Sequence, residues 1–146
     1  MAQTQQRRRQ VYEIFEEFSK ATNKQSRLAV LEKYASVGAF KDILRGTYDD
    51  TLVFNLPEGR PPFTPNKPES VPSTLLKLHK RFGLFVKGGA GDDLPAYRRE
   101  SIYVQTLESI HPEDAEFVVS MTNKKTPVKF LTKKLVQEAY PSLIKS

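Results

Sequence analysis

RRQVYEIFEEFSKA, residues 8–21, places Val11, Ile14, Phe15 and Phe18 at the i, i+3, i+4, i+7 spacing of one helix face and keeps Glu13, Glu16 and Glu17 off that stripe. A helix with a single apolar stripe needs other elements to cover it, so the segments that follow decide the fold class. TNKQSRLAVLEKYAS, residues 22–36, continues with Leu28, Leu31 and Ala35 on a stripe and with Thr22 and Gln25 at capping-box spacing. SVGAFKDILRGTYDD, residues 36–50, offers Ser36 as a cap, Phe40, Ile43 and Leu44 as a buried face, and Gly46 as a stop. Three helices with short connections predict an N-terminal helical layer.

The pattern then breaks. TLVFNL, residues 51–56, alternates Leu52, Phe54 and Leu56, too short to build a sheet alone and read as an extended arm. LPEGRPPFTPNKPESVP, residues 56–72, holds six of the chain's ten prolines, which fix backbone dihedrals and remove amide donors. It is expected to be an extended, polyproline-like strap, ordered at a smaller entropy cost than a flexible loop. If Phe54, Leu56 and Phe63 pack back onto the helices, the strap is a brace joining two helical halves; if they are exposed, it is a recognition surface. The brace is the favoured reading.

Helix resumes in STLLKLHKRFGLFV, residues 73–86, with Leu75, Leu76, Leu78 and Phe82 and an end near Gly83, followed by the glycine-rich connector KGGAGDDLP. AYRRESIYVQTLESI, residues 96–110, sets Tyr103, Leu107 and Ile110 on one side. HPEDAEFVVSMTNKK, residues 111–125, starts with Pro112 in a first-turn position and two acids, and ends in Lys124 and Lys125, each suited to the helix dipole. LTKKLVQEAYPSLI, residues 131–144, has Thr132 as a cap and Pro141 as a stop. The fold class read from this is all-α: a compact irregular bundle of about six or seven short helices with a central proline-rich strap, one domain over residues 1–146, with residues 1–10 as a basic arm.

Composition narrows the chemistry. The absence of cysteine excludes disulfides, thiol nucleophiles, iron–sulfur clusters and cysteine-ligated zinc, and suits a reducing cytoplasm. No apolar run approaches the ~20 residues that span a bilayer, so a soluble, unexported protein with no membrane partner is expected. GGAGDD, residues 88–93, lacks the following lysine and hydroxyl residue of a nucleotide loop and reads as a connector. His79 and His111 are too few for an all-protein zinc site without cysteine, and the Asp49–Asp50 and Asp92–Asp93 pairs lack calcium-loop spacing. No serine elbow occurs. No catalytic residue, metal or cofactor is assigned, and a non-enzymatic protein is expected.

Charge is the positive signal. Lys and Arg outnumber Asp and Glu 23 to 17, a net charge of +6, and the excess is concentrated at both ends. The candidate partner-binding residues are Arg7, Arg8 and Arg9 of the arm, Lys77, Lys80, Arg81 and Lys87 beside Phe82 and Phe85, Arg98 and Arg99 in the first turn of a helix, and Lys124 and Lys125. Cations at a helix N-terminus oppose the dipole, so another interaction must offset that cost, either a local acid such as Glu100 or an anionic partner. Such a cluster fits nucleic acid or an acidic protein surface.

Four stretches carry a family likeness. Leu56 to Gly59 with its downstream prolines, Leu94 to Glu100, Leu107 to Pro112 and Leu135 to Pro141 resemble motifs of a family of small uncharacterised proteins of tailed bacteriophages, including T4-like phages and cyanophages. The similarity covers most of the chain from about Leu52 onward and is weakest over the first fifty residues. The resemblance implies a phage protein in the host cytoplasm or in the particle, and brings no activity or catalytic residues. The first expectation is therefore an accessory protein binding nucleic acid or a nucleic-acid-processing complex. The alternatives are a particle component touching other phage structural proteins through its extended arms, or a host-takeover protein on an acidic host surface.

Overall fold

The computed structural model describes residues 9–145, so Arg7 and Arg8 lie outside the described residues. Seven helices follow in order: α1 (Val11–Lys20), α2 (Lys24–Lys33), α3 (Gly38–Tyr48), α4 (Leu75–Leu78), α5 (Ala96–Leu107), α6 (Pro112–Thr122) and α7 (Lys133–Ala139). Among the described residues there is no sheet, only a single bridge between Phe54 and Val86. The fold is all-α.

The predicted stripe of α1 is its buried face, since Val11, Ile14, Phe15 and Phe18 are all shielded from solvent. Phe15 meets Phe40 of α3 edge-on at 5.1 Å and stacks on Phe117 of α6 at 4.1 Å. Burying a side chain of this size stabilises by about 2 kcal/mol, so this three-helix junction is a principal anchor of the core. On the other flank α2 lies against α7, where the Tyr140 hydroxyl donates to the Leu31 carbonyl and Lys24 pairs with Glu138 at 3.0 Å.

The helix ends follow local chemistry with three corrections. Thr132 and His111 cap α7 and α6, accepting from the Leu135 and Glu113 amides. For α2, however, the cap is Asn23 and not a Thr22/Gln25 box: its side chain accepts from the Ser26 amide at 2.8 Å. For α3 the N-cap is Val37, without a side-chain bond, so Ser36 does not serve. Gly46 does not stop α3 but lies inside it, because Met121 of α6 packs there; a Cβ on Gly46 would sit 2.5 Å from the Met121 sulfur.

The strap is a brace. Phe54, Leu56 and Phe63 pack against the core, and polar bonds tie the backbone to α5 and α6. The Asn66 amide group donates to the carbonyls of Glu108 and Ile110 at 2.6 and 3.0 Å, and the Thr64 amide donates to the Glu108 carboxylate at 2.8 Å. Asn123 at the end of α6 exchanges two hydrogen bonds with the Gly59 backbone, at 2.7 and 3.0 Å. The strap is interrupted by one 3-10 turn at Pro68–Ser70, where continuous extension was expected.

Beyond the strap, α4 is a single turn that tightens into a 3-10 segment, His79–Phe85, running straight through Gly83. The glycine-rich stretch is a built turn and not a loose connector. Ala90–Asp93 form a 3-10 turn in which Gly91 is buried so close to Leu84 that a Cβ would fall 1.7 Å from its carbonyl oxygen.

Candidate functional site

The basic residues divide into cations consumed by the fold and cations left on its surface. Arg99, in the first turns of α5, is buried. Its Nε donates to the Asn55 carbonyl at 2.8 Å, and its Nη1 to the carbonyls of Gly91 and Leu94 at 3.0 and 3.2 Å. Three backbone oxygens thus offset the unfavourable dipole position, with neither a carboxylate nor a partner, and Arg99 is removed from the partner-binding set. It latches the strap entry and the glycine turn to α5.

Lys124 is half-buried and is also engaged within the fold. It takes the left-handed conformation (φ 58°) that closes α6, with its own amide bonded to Met121 and that of Lys125 to Ser120, a Schellman arrangement with lysine at the position glycine usually fills. Its Nζ donates at 2.8 Å to the carbonyls of Gly46 and Asp49, at the end of α3. Burial pushes the ammonium below its ordinary pKa, against the opposing pull of Asp50 and Asp49. Arg81 is half-buried and donates to the Thr106 hydroxyl at 3.2 Å, and Arg9 is exposed but pairs with Glu13 at 3.7 Å.

Lys77, Lys80, Lys87, Arg98 and Lys125 are exposed. Of these, Lys80 and Lys87 line one cleft of about 480 Å³ between the end of α3, the 3-10 segment and the glycine turn. Arg45 and Lys145 line it too, brought from α3 and from the C-terminal segment. Neither stands out in the sequence as a member of this site, because only the fold brings them to Lys80.

The carboxylates of this cleft, Asp42 and Asp49, are already engaged. Asp42 accepts from Arg45 at 2.8 Å and lies 2.6 Å from Nδ1 of His79. Asp49 accepts from the Thr51 amide and hydroxyl at 2.9 and 2.6 Å and from the Lys145 amide at 3.0 Å. Burial alone would raise the Asp49 pKa, but these bonds outweigh it and hold the group below the usual carboxylate range. With both acids held internally, and no ion pair on Lys80, Lys87 or Lys145 among the described residues, the cleft presents positive charge to solvent.

A second cavity of about 560 Å³, between the strap and α5, has the opposite character. Its rim carries Glu58, Glu100 and Glu108, and its one arginine, Arg60, pairs with Glu116. His111 is used as the α6 cap and stacks on Tyr12 at 4.1 Å. Among the described residues no three His, Asp or Glu side chains converge on a metal position, and no helix is long and apolar enough to cross a membrane.

Among the described residues the fold is all-helical and braced by a proline strap, and the two clefts described above are of opposite charge. The chain belongs to the family described as Family of unknown function (DUF6433), which matches residues 14–127. The matched region runs from α1 through α6, and so includes the N-terminal helices where the motif resemblance is weakest. No curated protein matches the chain.

Proposed function

We propose that this protein is a non-enzymatic binding protein that contacts nucleic acid, or a complex carrying it, through the cleft formed by Arg45, Lys80, Lys87 and Lys145. The observation that supports this reading is that the cleft's own carboxylates are satisfied within the fold while its lysines make no ion pair among the described residues. Phosphates entering the cleft gain Coulomb attraction without displacing an existing ion pair of those lysines, and release their counterions. The motif resemblance supports a phage accessory protein, acting in the cytoplasm of the infected host or carried in the particle.

The test is fluorescence anisotropy of labelled single- and double-stranded DNA and RNA, comparing the native chain with Lys80→Glu/Lys87→Glu and with Lys77→Glu/Lys125→Glu. All four residues are exposed, so folding is preserved in both variants. The cleft pair is expected to lose about tenfold or more in affinity and the other pair distinctly less. Equal losses from both pairs would refute a localised cleft.

A further inference from the structure

We infer that Phe130, with Arg27 stacked on it, is a platform for an unpaired nucleobase, which narrows the ligand to single-stranded nucleic acid; this rests on the nucleic-acid reading above but uses a different surface. Phe130 lies in the segment between α6 and α7 and is 64% exposed. Its backbone is left-handed, φ 67°, a conformation unfavourable for a bulky L-residue. An aromatic ring held in water by an unfavourable backbone gains nothing for the core.

Its surroundings are cationic. The Arg27 guanidinium of α2 lies over the ring, 4.0 Å from its centre. Concavities open on two sides of Phe130, one bordered by Lys24, Arg27 and Lys134, the other by Arg27 and Lys129. The carboxylate bordering them, Glu138, is paired with Lys24 at 3.0 Å, whereas Lys129 and Lys134 make no ion pair among the described residues. A flat π surface extended by a guanidinium and flanked by unpaired lysines offers stacking for a base and charge for the phosphates on either side of it. Bases within a duplex already cover one another's faces, so the platform selects a single strand.

The chain contains no tryptophan, so Phe130→Trp installs a unique reporter at the platform. The probes are oligothymidylate, a DNA duplex of equal length, and heparin, a polyanion without bases. Oligothymidylate is expected to quench the tryptophan, with heparin and duplex leaving it nearly unchanged. In the native background, Phe130→Ala and Phe130→Leu should each weaken oligothymidylate binding by about tenfold. The leucine variant separates stacking from generic apolar contact, since it keeps apolar surface but has no π face. Lys80→Glu/Lys87→Glu should lower affinity without changing quenching at saturation. Oligothymidylate that binds by anisotropy without quenching, or binding retained by Phe130→Leu, overturns the platform and leaves the cleft reading standing. Absence of any binding at low salt overturns both.

Discussion

Asp114, in the first turn of α6, is completely buried and accepts the Tyr12 amide of α1 on Oδ1 at 2.8 Å. It thereby caps one helix from the start of another. Its Oδ2 is buried without a hydrogen-bond partner among the described residues, and burial, with Glu13 and Glu113 adding repulsion against the opposing Tyr12 bond, pushes its pKa from 3.8 up to about 7. A raised carboxyl pKa means that the folded state binds a proton the unfolded chain has released. The associated stability is fully present below about pH 4, declines as pH rises towards 7, and is gone above it, a change of at most about 4 kcal/mol. Asp114→Asn preserves the acceptor for Tyr12 and removes the charge, and its amide N–H₂ is left unpaired much as the O–H of the protonated carboxyl is. The variant should therefore lie within about 1 kcal/mol of the native protein near pH 4 and be more stable near pH 8, by about 2 kcal/mol or more. Urea unfolding followed by circular dichroism at both pH values measures the difference, in which contributions from other carboxylates cancel. A stability difference that does not change with pH would refute the assignment of a buried, proton-holding Asp114.

Arg99→Met should cost at least about 3 kcal/mol in urea unfolding, since it strands the carbonyls of Asn55, Gly91 and Leu94, whereas Arg98→Met on the exposed side should stay within about 0.5 kcal/mol. Equal effects from the two would contradict the latch. Gly46→Ala should destabilise by about 1 to 2 kcal/mol despite alanine's better helix propensity, because the new methyl meets the buried Met121 side chain and, at 3.1 Å, the Phe54 ring. A rise in melting temperature would show that α3 and α6 are not in contact there. Lys124→Met should lower stability by about 1 to 3 kcal/mol by removing the donor to two carbonyls at the end of α3. Its effect on DNA affinity, measured where the variant is folded, should be small beside that of Lys80→Glu/Lys87→Glu.

How far the sequence reaches depends on the range of the interaction. The α1 stripe and the Thr132 cap are legible because each is complete within a few residues. The brace was legible for a related reason: Phe54, Leu56 and Phe63 are apolar residues among prolines and have to be covered by something. Gly46 was misread because a glycine that ends a helix and one that admits a neighbouring helix look alike until Met121 arrives from α6. Asn23 was missed because a capping residue one position later satisfies the same local rule. The basic residues posed the hardest case. Arg98 and Arg99 are adjacent in sequence, yet one faces solvent and the other holds carbonyls from the strap and the glycine turn. Arg45 and Lys145 join Lys80 and Lys87 only once α3 and the C-terminal segment are folded together.

The cleft is tested most directly by the salt dependence of its affinity for single-stranded DNA. Contacts from Lys80, Lys87 and Lys145 contribute about 2 to the slope at which log K falls with log salt, at roughly 0.7 per phosphate neutralised, the lysines beside Phe130 adding to that total, and Lys80→Glu/Lys87→Glu makes the slope shallower by about 1.4 or more. Binding with a flat salt response, or a slope that the double variant leaves unchanged, would contradict the account.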